Sequence, residues 1–196
     1  GYEDEYWAVV PESYSPTQSY GLLVWLHPTN TTMEATLYRE WKTICEQRGI
    51  ILLAPKTSTR TGWTPNHAEY IRDVVSDFQK KYNVDNSRTA VHGLATGGEF
   101  AAKVAFRFPE LFRGIALASV ALKSPPPEHS PEFQFQFHLI YGDRDPAGPF
   151  VQKTAAGLSR LKFPVTLRKI EGHRAGYPSA DAVEEMARWL DALDRL

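Results

Sequence analysis

The sequence predicts an α/β protein in which one mostly parallel sheet is sandwiched between helices, in a single domain spanning residues 1–196. Short β-branched or aliphatic runs alternate along the chain with longer stretches whose apolar residues recur at helical spacing. Hydrophobic residues make up 42 % of the 196 positions and charged ones 23 %, a globular composition long enough to bury a real core. Strands separated by helices need crossovers of one hand, which puts helices on both faces of the sheet.

Tyr6 to Val10 and Leu22 to Leu26 read as strands, and the Pro-, Ser- and Tyr-rich segment Pro11 to Tyr20 between them is expected to close a hairpin. Thr31 with Glu34 three residues later forms a capping box. Leu37, Trp41, Ile44 and Cys45 then recur at helical spacing until Gly49 stops the helix. Ile50 to Ala54 is a continuous apolar run ended by Pro55, as suits a strand covered on both faces, and Lys56 to Asn66 is a polar loop. Ile71, Val74, Val75, Phe78 and Tyr82 trace a helical stripe, and Asn83 to Ser87 supply a turn into the strand Arg88 to His92. Beyond it, Gly97 to Phe106 is helical, Gly114 to Ser119 and Phe133 to Tyr141 are strands, and Val151 to Leu161 is a helix. Val165 to Ile170 is the last strand, followed by a terminal helix marked by Val183, Met186, Leu190 and Leu193. Trp7, Trp25, Trp41 and Trp189 fall on element faces and read as core. Ser124 to Ser130, with three consecutive prolines, is a loop.

Several function classes are excluded at this level. With 22 Lys and Arg against 23 Asp and Glu, the net charge of -1 offers no field for nucleic acid or anionic lipid. The single cysteine, Cys45, cannot form an internal disulfide or a zinc cluster. His27, His67 and His92 come from separate loops and strands without ligand spacing, and His129 and His138 make no stronger claim, so no metal or other cofactor is expected. The longest apolar runs fall far short of the roughly 20 residues that span a bilayer. A soluble domain with no membrane partner is the expectation, and the start at Gly1 suggests an excised piece, so other domains of a parent protein remain open as partners.

The chemistry concentrates between the strand Arg88 to His92 and the following helix. Gly93-Leu94-Ala95-Thr96-Gly97 is the pattern G-x-S-x-G with alanine at the apex. A strand that turns into a helix within one residue brings positions two before and two after the apex against neighbouring backbone, so both must be glycine. Tyr141-Gly142-Asp143-Arg144-Asp145-Pro146 then ends a strand with carboxylates, and Glu171-Gly172-His173 follows the last strand. Both lie at carboxyl ends of strands, where ligands bind in parallel sheets.

On these motifs the chain resembles the α/β-hydrolase superfamily, in its small carboxylesterase, polyhydroxybutyrate-depolymerase and dienelactone-hydrolase branch. The resemblance covers nearly the whole chain: Tyr6 to Pro11 and Tyr20 to Pro28 for the opening strands and oxyanion turn, Asn83 to Gly98 for the elbow, Gly142 to Asp145 for the acid turn, and Gly172 with His173 for the histidine loop. It implies position 95 as the nucleophile, Asp145 as the acid that orients the imidazole and His173 as the base, with Asp143 as the competing carboxylate. It also implies an oxyanion hole from the Thr96 N–H and the turn His27-Pro28-Thr29-Asn30, where Pro28 has no N–H and Thr29 can donate. Thr96 itself is not expected to replace the nucleophile, because its side chain starts the helix and points away from the base. Trp63 and His27 are candidates to line the pocket, and the short Ser124 to Ser130 segment leaves no lid domain and an open cleft.

Ala95 departs from the family pattern and leaves two functional readings. The chain is a hydrolase-like domain without its nucleophile, silent or nearly so and serving as a binding or structural module for a small-molecule ester or another ligand in the cleft. Alternatively it is a serine carboxylesterase of small esters whose serine has been replaced by alanine. A coincidental turn in an unrelated fold is the third possibility for the motif itself.

Overall fold

A computed structural model describes residues 5–58, 60–128 and 134–195. The strands are β1 (Tyr6–Val9), β2 (Tyr20–Leu26), β3 (Ile50–Pro55), β4 (Val84–Leu94), β5 (Gly114–Ala118), β6 (Gln136–Gly142) and β7 (Val165–Ile170). The helices are α1 (Glu34–Arg48), α2 (His67–Lys81), α3 (Thr96–Arg107), α4 (Gly148–Arg160) and α5 (Ala180–Asp191), with a final 3-10 turn at Leu193–Arg195. The strands form one seven-stranded sheet in the order β1-β3-β2-β4-β5-β6-β7. Only β1, at one edge, runs antiparallel to its neighbour. No described helix is long and apolar enough to cross a membrane.

Alternation along the strands builds two cores. Leu22, Val24 and Leu26 of β2 face one side, where Ile71, Val75 and Phe78 of α2, Ala101 and Val104 of α3 and Val151 and Leu158 of α4 pack. Leu23 and Trp25 face the other, against Leu37, Trp41 and Cys45 of α1 and Val183, Met186 and Leu190 of α5. Because β2 is central and covered on both faces, all seven of its residues are buried, which is why it reads as an unbroken apolar run. Trp7 is only half-buried against the α1 and α5 side, whereas Trp25, Trp41 and Trp189 are core as expected.

Three local expectations fail for physical reasons. β1 and β2 do not form a hairpin: β3 occupies the β2 edge in parallel, and β1 pairs beyond it, Trp7 opposite Ala54. The connecting loop instead crosses the sheet end, where Tyr14 packs on Tyr20 and Tyr82. The capping box does not form either. Glu34 is the first helical residue, Met33 holds the N-cap with φ 56°, and the Thr31 hydroxyl accepts only the Met33 N–H at 3.1 Å. Gly49 does end α1 in the left-handed conformation, with its N–H on the Cys45 carbonyl. Of the turn read at Asn83 to Ser87, Asn83 does lie in the turn after α2, but Val84 to Ser87 belong to β4, where the pairing register shifts between Val84 and Thr89 and Asp85 accepts from Ser87. His129 and Phe133, assigned to a loop and a strand from sequence, lie outside the described residues, as does Ser130.

The connectivity fixes the place of a site. From β2 the chain passes through α1 to β3 on one flank, then returns to add β4 on the other. The carboxyl ends of β2 and β4 therefore diverge, leaving the crevice of a switch point between His27–Thr29 and Ala95–Thr96.

Candidate active site

Ala95 is the hinge between β4 and α3, with φ 49° and ψ -120°. An L-residue in this sparsely populated region is strained by about 1–3 kcal/mol. The surrounding glycines permit the turn. A Cβ on Gly93 would lie 2.6 Å from Gly97 and Gly98 backbone atoms, and one on Gly97 would lie 2.1 Å from the Leu26 carbonyl oxygen. Gly98 belongs to the same set, since a Cβ there would meet Val120 at 2.7 Å and the Gly93 carbonyl oxygen at 2.9 Å. Gly97→Ala should accordingly cost about 3 kcal/mol, because rigid backbone of the central strand must move. A urea-denaturation midpoint unchanged from the parent chain would contradict this close approach.

The acid turn and the histidine loop dock through their backbones. The Arg144 N–H donates to the His173 carbonyl at 2.9 Å, and a Cβ on Gly142 would sit 2.1 Å from that same oxygen. Of the two carboxylates, Asp143 is exposed, and the Gly172 backbone N–H beside it holds its carboxyl below the usual range. Asp145 is buried at 5 % exposure. Its Oδ1 accepts the Ala147 N–H at 2.8 Å, while Oδ2 has no hydrogen-bond partner among the described residues. A buried carboxylate oxygen without a partner is costly to keep.

His173 is half-buried and its Nε2 lies 3.0 Å from the Tyr177 carbonyl. A carbonyl only accepts, so Nε2 carries the proton. A base serving a nucleophile needs the other arrangement, with Nδ1–H donating to the acid and Nε2 free to accept. With a methyl group at position 95, Nε2 has no hydroxyl there to accept from, and it donates to the Tyr177 carbonyl instead.

Thr29 and Thr96 meet across the β2–β4 crevice. The Thr29 N–H donates to the Thr96 hydroxyl at 2.9 Å, and the two hydroxyls lie 3.2 Å apart. The Thr29 donor is thus engaged by a neighbouring side chain. His27 is buried rather than presented to a ligand. Its Nε2 accepts the Thr57 N–H at 3.2 Å and its Nδ1 donates to the Pro28 carbonyl at 2.8 Å, and burial lowers its pKa. His67 bridges to the same Thr57 through its hydroxyl at 3.0 Å, whereas His92 lies on the opposite face of the sheet. Among the described residues no three His, Cys, Asp or Glu side chains come together in a way that could hold a metal ion. Cys45 is buried in the core, which pushes its thiol up to about 12.

Trp63 is held by its indole N–H on the His27 carbonyl at 2.8 Å and stacks on Phe100 at 5.3 Å between centroids. It lines a cleft of about 330 Å³ together with Thr29, Thr96, Phe100, Lys103 and Arg107. The sequence motifs point to Trp63 and the two threonines but not to Phe100, Lys103 and Arg107. The helical spacing of 96, 100, 103 and 107 is the signal that could have found them. Nothing in the sequence marks Tyr177 as the partner of His173.

Comparison with known proteins agrees with this architecture. The Esterase family, described as "Putative esterase", matches residues 7–136, a span that includes the elbow but ends before Asp145 and His173. "Putative esterase NocK" of Nocardia uniformis subsp. tsuyamanensis is 34 % identical over 82 residues, which are 42 % of this chain and 24 % of that protein. The crystal structure of esterase PE8 superposes with a TM-score of 0.73 at 16 % identity, covering 97 % of this chain and 99 % of its own. A thermostable esterase gives 0.71 at 18 % identity, covering 94 % of this chain and 58 % of its own. The chain therefore spans less than two thirds of the length of some of these proteins. At such identities the two superpositions speak for the fold, which is that of α/β-hydrolase esterases. The family match, extending over well more than half of the residues, places this chain in the Esterase family.

Proposed function

We propose that this chain is an esterase-fold domain without a nucleophile, silent in acyl transfer and retained as a binding module for a small ester or related carbonyl ligand. The observation that carries the reading is Ala95 at the apex of the elbow, its backbone at φ 49° and ψ -120° and its side chain a methyl group. Alanine offers no oxygen to acylate. Asp145 and His173 take the acid and base positions in this reading, and the buried, unpartnered Asp145 Oδ2 supports a carboxylate kept for the imidazole. Without the nucleophile, a serine-hydrolase site of this kind retains only about 10³–10⁴ over water from oxyanion stabilisation and binding. Ligand recognition survives that loss, because the α3 N-terminus, with the Thr96 N–H and the Thr29 and Thr96 hydroxyls, favours a polarised carbonyl oxygen.

The test is hydrolysis of p-nitrophenyl acetate and butyrate by the chain and by His173→Ala. The expected result is a slow rate, unchanged by His173→Ala. Turnover that disappears in His173→Ala would overturn the reading, since it would mean that the imidazole already drives catalysis, with water as the attacking group.

A further inference from the structure

We infer that the cleft beside the elbow selects ligands carrying a negative charge distal to the carbonyl, with Lys103 as the group that recognises it. The inference deepens the reading above, on which it rests only for placing the carbonyl at Thr96. Thr96, Phe100, Lys103 and Arg107 all line the same cleft from one helix. The seven-residue step from Thr96 to Lys103 is about 10 Å along the helix axis. Trp63 stacked on Phe100, with their planes 4° apart, supplies an apolar wall between the two ends.

Charge in the cleft is unbalanced at its far end. Glu99 is paired with Lys123 at 2.8 Å. Arg107 is paired with Glu69, a carboxylate that also serves Arg72. Lys103 has no carboxylate partner among the described residues, and it is exposed on the cleft side of α3. The chemistry thus runs from carbonyl-binding N–H and hydroxyl groups, across an aromatic wall, to an unpaired ammonium. A straight-chain half-ester of a dicarboxylic acid has these parts in this order. A chain of about six carbons, together with the reach of the lysine stem, matches the spacing along α3.

The test is an NMR titration of the unaltered chain with monomethyl adipate and, as the neutral comparison, methyl hexanoate. Shifts of the Trp63 indole N–H and the Thr96 amide report the site. Monomethyl adipate is expected to saturate with an affinity about tenfold above methyl hexanoate, and to weaken with added salt. Lys103→Gln should remove that advantage and leave methyl hexanoate unchanged, while Lys103→Arg should keep it. Lys103 is exposed, so neither variant threatens folding. Equal affinity for the two ligands, no saturable shift from either, or an advantage that persists in Lys103→Gln would overturn the inference. Methanol released in the same spectra by the unaltered chain would instead contradict catalytic silence, so the two failures are distinguishable.

Discussion

Ala95→Ser is expected to turn the chain into a working, slow esterase, raising p-nitrophenyl butyrate hydrolysis by roughly 10²–10⁴ over the unaltered chain, the span attributed to a positioned general base. The obstacles in its way are small. To serve a serine, His173 must release the Tyr177 carbonyl, a neutral hydrogen bond worth about 0.5–1.5 kcal/mol. On the proposed roles it would then donate from Nδ1 to Asp145, whose Oδ2 has no partner among the described residues, a charge-assisted bond worth about 1.5–3 kcal/mol. Only with a hydroxyl at position 95, which Nε2 can then accept from, does the exchange favour the productive ring state. Thr96 poses the second obstacle, because its hydroxyl occupies the Thr29 N–H that an oxyanion would need. Displacing it costs about 1 kcal/mol, or about fivefold in rate, which is far less than the roughly 10²–10³ for deleting an oxyanion donor. Ala95→Ser/Thr96→Ala should therefore exceed Ala95→Ser by about fivefold. A double variant no faster than the single one would mean that the Thr29–Thr96 bond does not obstruct the site.

The second large effect is acid sensitivity. His92 and His138 are fully buried on the α5 side of the sheet. Burial lowers their pKa values to about 4 and about 3. His92 keeps one bond, Nδ1 donating to the Ala116 carbonyl at 3.0 Å, while both ring nitrogens of His138 lack partners among the described residues. Both pKa values lie below the ordinary 6.5 of the unfolded chain, so the unfolded chain takes up protons first. Their neutral burial is without penalty above about pH 6.5, and stability falls as pH drops from there to about 4 for His92 and about 3 for His138. Within that window the two together remove about 3 kcal/mol or slightly less per pH unit, hence roughly 4 kcal/mol between pH 7 and pH 5. His27, also lowered by burial, acts in the same direction. Carboxylates contribute mainly below this range, so urea titrations from about pH 7 to 5 isolate the histidines. His138→Leu should keep or raise stability at neutral pH and roughly halve the slope, since it removes a buried ring with unpaired nitrogens and breaks no hydrogen bond to a described residue. A slope unchanged in His138→Leu would contradict the assignment.

How far the sequence can be read follows from the range of the forces involved. β7 runs from Val165 to Ile170, the bounds read from the sequence, and α1 buries Leu37, Trp41, Ile44 and Cys45 as their spacing predicts. These are local signals. The partner of β1 is not legible, because β1 and β2 are close in sequence while the edge that β1 occupies is decided by where β3 docks. Thr31 and Glu34 have the right spacing for a capping box, but the left-handed Met33 takes the N-cap and leaves Thr31 ahead of the helix. The elbow is legible because backbone crowding dictates glycine at Gly93 and Gly97 whatever the apex carries. The state of the site is not. The Thr29–Thr96 bond joins residues brought together by the β2–β4 pairing, and the His173–Tyr177 contact depends on the path of the loop after β7.

The central claim, that a single missing hydroxyl separates this chain from acyl-transfer chemistry, is tested most directly by fluorophosphonate labelling read by intact mass on the chain and on Ala95→Ser side by side. The expected result is no adduct on the chain and one on Ala95→Ser, lost again in Ala95→Ser/His173→Ala. An adduct on the unaltered chain, or a folded Ala95→Ser that stays unlabelled, would contradict it.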